Sequence, residues 1–320
     1  MFTIRTKSLT IMIRTSGEQC SLPYIPRDLA KFRVEDPAMA AMVIKRWLDV
    51  CQNTHSKCGA VSGGLPPVLP TRIIESQDPK QIVLRTVNID GERIRYACLS
   101  HCWGGAVPLR TTSKTLQAFQ ETGIRWETPP QSFQDAIDMT ERLGLRYIWI
   151  DSLCIIQDDI QDRWGEGSRM SGIFAGVHVT LGAASVTGSD KGFYRARSAR
   201  PVESTHSLPS HENGGSPYEI HVTKISGPSM EWQNLPLLKR AWVFQKIWLT
   251  RRTVYFAKDM LHWECLECKA QETEIGNSIS ACSSHGESRF DTFKNLLKKK
   301  PFKTFSHPQA VLEACKAREE

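Results

Sequence analysis

The chain has 320 residues, 40% of them apolar, 23% charged and 8% aromatic, which excludes a disordered chain and allows one large domain or two small ones. Its net charge of +7 is too dispersed to call for nucleic acid, and the densest basic run, Lys298–Lys300, reads as a solvated surface in a polar tail. Ten cysteines are too sparse for a disulfide scaffold and point to a reducing, cytoplasmic setting, while no apolar run approaches the ~20 residues that span a bilayer.

Residues 1–37 read as a leader, disordered or strand-forming, with breaks at Pro23, Pro26 and Pro37. From Ala38 the apolar positions Met42, Val43, Trp47 and Leu48 fall near helical spacing, and a Gly/Pro-rich stretch follows. Residues 38–68 are therefore expected as an N-terminal helical appendage and linker, ahead of a domain over 69–275. "TRIIES" and "QIVLRTV" read as short strands, and Asp90-Gly91 as a hairpin-type turn. The next strand opens "YACLSHCWGG" (96–105), which breaks into a loop at Ser100.

The clearest unit is 129–186. Pro129-Pro130 precedes Ser132, with Asp135 three residues on, close to a capping box. Phe133, Ala136, Ile137, Thr140 and Leu143 then share one helix face, and Gly144 stops the helix. "LRYIWID" is a continuous apolar run of the kind buried in a parallel sheet. A second helix over 158–177 leads to the strand "HVTLGAAS". Short links between alternating helices and strands predict an α/β fold with a small, mainly parallel sheet. Residues 187–235 are a Gly/Ser/Pro-rich excursion around a hairpin. "LLKRAWVFQKIWLTRRTVYFAKDMLHWEC" then predicts a helix and two strands about Lys258-Asp259, and 276–320 is a polar, basic tail.

Several residue types could carry chemistry. On the 158–177 helix, Glu166 falls in the same arc as Met170, Ile173, Phe174 and Val177, so its carboxylate points toward the core. It is either a structural group paired with Arg163 or Arg169, or a functional acid. Asp151 stands at the end of "YIWID", where open parallel sheets bind ligands, though a carboxylate there equally caps the following loop. Cys51-x3-His55-x2-Cys58, Cys98-x2-His101-Cys102 and Cys265-x2-Cys268 each offer metal ligands. No two of them reproduce a familiar framework, so no metal is expected. Cys102 and His101 are adjacent on a strand and face opposite ways, which argues against a thiol nucleophile built from them.

Three blocks, "RYACLSHCWGG", "LGLRYIWIDSLCIIQDDIQDRWGEGSRMSGIFAGVHVTLGAAS" and the 237–265 segment, occur in order and resemble the fungal heterokaryon-incompatibility (HET) domain family. "WLDVCQNTHSKC" and "LPTR" resemble what commonly precedes that domain. The positions that carry the resemblance are Tyr96, Asp151, Cys154, Gln157, Trp164, Met170, Arg240, Trp242, Gln245, Arg252, Trp263 and Cys265. The resemblance implies a cytoplasmic protein of non-self recognition and regulated cell death, with protein partners or self-association rather than nucleic acid or membrane. It also implies a distant likeness to the Toll/interleukin-receptor (TIR) fold, with a flavodoxin-like core. Some TIR domains cleave NAD with a helix glutamate, and Glu166 occupies that kind of position. On that reading Ser100, Trp103, Gly104 and Asp151 line the ligand crevice, with NAD as substrate rather than cofactor. The family usually reads Gln-Glu where this chain has Gln245-Lys246, so an interaction module or an inactive regulatory relative stands beside the enzymatic reading.

Overall fold

The computed structural model describes residues 2–5, 10–16, 36–59, 68–78, 81–87, 94–105, 107–194, 202–208, 218–225, 236–239, 246, 249–257 and 261–272. In chain order these form β1 (Phe2–Arg5), β2 (Thr10–Ser16), α1 (Pro37–Thr54), α2 (Ser56–Gly59), β3 (Arg72–Asp78) and β4 (Gln81–Thr86). There follow β5 (Tyr96–Ser100), α3 (Leu116–Glu121), β6 (Ile124–Arg125), α4 (Gln131–Arg142), β7 (Tyr147–Trp149) and α5 (Asp151–Cys154). The last elements are α6 (Ile160–Gly176), β8 (Val179–Gly182), β9 (Val202–Leu208), β10 (Tyr218–Ile225), β11 (Arg252–Phe256), β12 (Leu261–Cys265) and β13 (Lys269–Gln271).

The fold is α/β, built on a nine-stranded sheet of order β13-β12-β11-β8-β5-β7-β3-β4-β6. The sheet is mixed rather than mainly parallel. Only β5 with β7, β5 with β8 and β8 with β11 pair in parallel; the other five pairings are antiparallel. The reason is local. β3–β4 and β11–β12 are joined by links too short for a crossover, so each pair must return antiparallel.

The four parallel strands sit together at the centre. Numbered by first appearance, they run 2-1-3-4, so the winding reverses between β5 and β8, as in doubly wound sheets. The chain passes from β5 through α4 to β7, and then back through α6 to β8. Right-handed crossovers in opposite directions place these two helices on opposite faces. Alternate residues of β5 agree: Tyr96 donates to Ile173 O of α6 at 2.6 Å, while His101 just beyond the strand meets Phe133 of α4 edge-on. All five β5 residues are consequently buried.

Local signals explain the helix limits. Asp36 accepts from Ala38 N at 2.9 Å, and Pro37 opens α1 without needing the donor it lacks. Asp159 accepts from Gln161 N and Asp162 N, capping α6. The capping box expected around Ser132 does not form. α4 starts at Gln131 behind Pro130, and Asp135 instead accepts from Phe193 N at 2.7 Å and Tyr194 N at 3.3 Å. Gly144, at φ 78°, ends the helix as read from the sequence. "LRYIWID" gives only a three-residue strand, because α5 begins at Asp151.

α1 packs into the main core: Ala40, Ala41, Val43, Ile44, Trp47, Leu48 and Cys51 are buried in the same cluster as the central strands. Trp47 lies 6.0 Å from Trp263 of β12, centroid to centroid. The leader contributes β1 and β2, and the 187–235 excursion contributes the β9–β10 hairpin. These four strands form a separate antiparallel sheet, β1-β2-β10-β9. The 90–91 turn and the 276–320 tail lie outside the described residues.

Candidate functional site

The winding reverses between β5 and β8, and the carboxyl end of the sheet at such a reversal is where doubly wound folds place ligands. Asp151 stands there, immediately after β7. Its Oδ1 accepts from Ser152 N at 2.8 Å, which fixes the carboxylate at the first turn of α5. Its Oδ2 takes the ammonium of Lys246 at 2.7 Å, and both side chains are largely buried, at 15% and 7% exposed. Lys246 also lies 5.5 Å from the Phe174 ring centroid of α6, and its carbonyl accepts from Thr250 Oγ1 at 2.7 Å. Burial pushes the Asp151 carboxyl up, but Lys246 and then His101 outweigh it and hold the group at about 2.

Around this pair the polar atoms are enclosed. Ser100 is 1% exposed, and the Ser100 Oγ, Ser152 Oγ and Trp149 Nε1 atoms have no hydrogen-bond partner among the described residues. Trp103 is half-buried and Gly104 is exposed. The loop after β5 is tied to the loop after β8: Ser189 N donates to Trp103 O at 3.4 Å. Gly104 has φ +83°, and a Cβ there would meet Gly188 Cα at 2.8 Å. Glycine is thus required at 104 by both backbone conformation and close approach.

Glu166 is turned inward, as the helical arc predicts, and is 2% exposed. Its neighbours are Thr71 and Arg169. Thr71 Oγ1 and Thr71 N both donate to it, and Arg169 Nη1 lies 3.6 Å from Oε1. Arg169 continues to Thr71 Oγ1 at 2.8 Å and Leu69 O at 2.7 Å. Glu166 and Arg169 together hold the "LPTR" segment against α6, and Asp162 extends the clamp by pairing with Arg72. The three carboxylates of this region therefore fall into two groups, Asp151 with Lys246 and Glu166 and Asp162 with the 69–72 segment.

Other singled-out residues are structural in placement. Tyr96, Cys154 and Trp263 are buried, and Gln157 Nε2 donates to Asp151 O and Ile155 O, both at 3.1 Å. Met170 packs partly buried against the core, whereas Trp164 is 61% exposed. Arg240, Trp242 and Gln245 lie outside the described residues. Sequence reading noticed Lys246 as a reversed charge but did not pair it with Asp151, 95 residues away. It also left Cys265 apart from Cys51, His55 and Cys58, which the fold brings together, with ligand atoms all within 4.8 Å of one another.

An α/β domain with a doubly wound centre, entered at Tyr96 and closed by the buried Asp151–Lys246 pair, is the class this geometry defines. Residues 96–246, from the first residue of β5 to Lys246 itself, match the family model described as heterokaryon incompatibility protein (HET), so this segment is similar to that domain. No curated protein and no solved structure matches the chain. Among the described residues, no helix is long and apolar enough to cross a membrane.

Proposed function

We propose that this protein serves non-self recognition and regulated cell death through its HET domain, as a partner-binding, regulatory member that does not cleave NAD. The observation that carries this reading is the buried ion pair of Lys246 with Asp151 at 2.7 Å. Glycosidic cleavage of NAD passes through an oxocarbenium-like transition state, which a free carboxylate stabilises. Asp151 already faces a cation, and Lys246 would set a like charge against the one that develops. The HET resemblance has an acid where Lys246 stands, so this chain inverts the charge at the very position that closes the site. Glu166, the alternative acid in the TIR-like reading, is occupied by Thr71 and Arg169. Action through protein partners or self-association, rather than through chemistry on NAD, fits both features.

The test is direct. Purified full-length protein, concentrated to favour self-association, is incubated with NAD beside Glu166→Gln, and free nicotinamide is measured. Both are expected to match the buffer blank. Nicotinamide release by the unmodified chain that Glu166→Gln abolishes would overturn this reading and establish NAD glycohydrolysis with Glu166 as the acid. Forced expression with a viability readout adds a second arm, in which toxicity without NAD depletion identifies action by assembly.

A further inference from the structure

We infer that Cys51, His55, Cys58 and Cys265 form a structural zinc site that joins the α1–α2 segment to the end of β12. The four residues come from both ends of the described chain and meet as three thiols and one imidazole. Their ligand atoms all lie within 4.8 Å of one another, and the three cysteines are free and buried. A tetrahedral zinc with sulfur at ~2.3 Å and nitrogen at ~2.0 Å needs ligand atoms about 3.5–3.8 Å apart. His55 Nδ1 lies 3.3 Å from Cys265 Sγ, close to that spacing and with Nδ1 as the nitrogen turned inward.

The chain is shaped to converge there. Cys51 lies in the last turn of α1, and His55 N donates to Cys51 O at 3.3 Å as the helix ends. Cys58 N then donates to His55 O at 3.2 Å, which curls the backbone so that all three side chains face one point. On the other side, Cys265 N donates to Cys268 O at 2.8 Å in a tight turn. Lys57 N donates to the Glu267 carboxylate and closes the two halves together.

Charge gives the independent argument. Arg252 is 6% exposed, and its guanidinium donates to Cys51 Sγ at 3.2 Å, to Cys58 O at 2.9 Å and to His178 O at 3.4 Å. A buried cation is stabilised by an anionic neighbour. Zinc binding releases three thiol protons to solvent, and Zn²⁺ with three thiolates and a neutral imidazole carries one net negative charge beside Arg252. With four protein ligands the site has no open position, so its role is to hold the fold rather than to bind substrate. The apolar pair Trp47 and Trp263, one on each joined element, packs near it.

The experiment uses the full chain, purified without a histidine tag or chelator and analysed for metals by mass spectrometry. About one zinc per chain is expected, and replacement by cobalt(II) under reducing conditions is expected to give the intense absorption of tetrahedral cobalt with thiolate ligands. Cys265→Ser should lower zinc content by at least ~10-fold. To separate loss of metal from loss of folding, His55→Cys is measured too. It should keep zinc and shift the cobalt bands toward those of a four-thiolate site. Folded, unmodified protein that holds less than roughly a tenth of an equivalent of zinc and takes up no cobalt would overturn the inference. So would full zinc occupancy in Cys265→Ser, or a disulfide between these cysteines in protein alkylated under anaerobic conditions.

Discussion

Replacing Lys246 with methionine keeps the length of the side chain and removes the cation that faces Asp151. The Asp151 carboxyl is held at about 2 against an ordinary 3.8, so its surroundings favour the charged form by about 2 kcal/mol net of burial. Taking Lys246 away removes the attraction but leaves the desolvation, and breaking such a buried pair costs about 3–5 kcal/mol. The expected result for Lys246→Met is a loss of that size at pH 7, read as a lower guanidinium midpoint followed by tryptophan fluorescence. The loss should depend on pH in a definite direction. Without its partner the buried Asp151 holds its proton above the unfolded value, so the variant loses least near pH 4 and most near neutrality. Adding Asp151→Asn should restore most of the midpoint, because no buried charge is then left unpaired. A deficit below about 0.5 kcal/mol that ignores pH and is not relieved by Asp151→Asn would refute the reasoning.

Two further outcomes follow from the geometry. Gly104→Ala meets Gly188 Cα at 2.8 Å from a left-handed φ of +83° and should cost about 2–3 kcal/mol in chemical unfolding, whereas Gly105→Ala, with nothing within 4 Å of its Cβ, should cost well under 1 kcal/mol. Burial, with Arg95, Arg252 and Arg251 adding like charge, pulls His178 down to about 4. The unfolded chain binds a proton below about 6.5 that the folded chain refuses, so stability is full above that pH. It falls by about 3 kcal/mol as pH drops toward 4, and His178→Asn should flatten that slope in a pH series of melting temperatures.

Much of the centre of the fold is legible in the sequence because its signals are local. The Phe133–Thr140 periodicity, the Gly144 stop and the apolar runs behind β7 and β8 each act within a few residues, and the Glu166 arc correctly turns that carboxylate inward. The sheet edges are less legible. β3 pairs with β7 across α4, and nothing in "TRIIES" encodes direction. The Asp151–Lys246 pair depends on strand order, since the two residues become neighbours only after the chain has wound both ways around β5. The four converging ligands show the same limit: spacing relates Cys51, His55 and Cys58 to one another, but only the β12 position relates them to Cys265.

The packing of α1 on β12 also sets a schedule for synthesis. Trp263 follows Trp47 by roughly 200 residues, so at ~5–20 residues per second the ribosome needs roughly 10–40 s to deliver the surface that this helix covers. Within that interval α4, which also packs on α1, is made first, so the Trp47 end of the helix, facing β12, is the part of the apolar stripe that waits longest for cover. The first helix of the described residues is thus sheltered in two stages, and its Trp47 end is the surface most exposed to aggregation while synthesis continues.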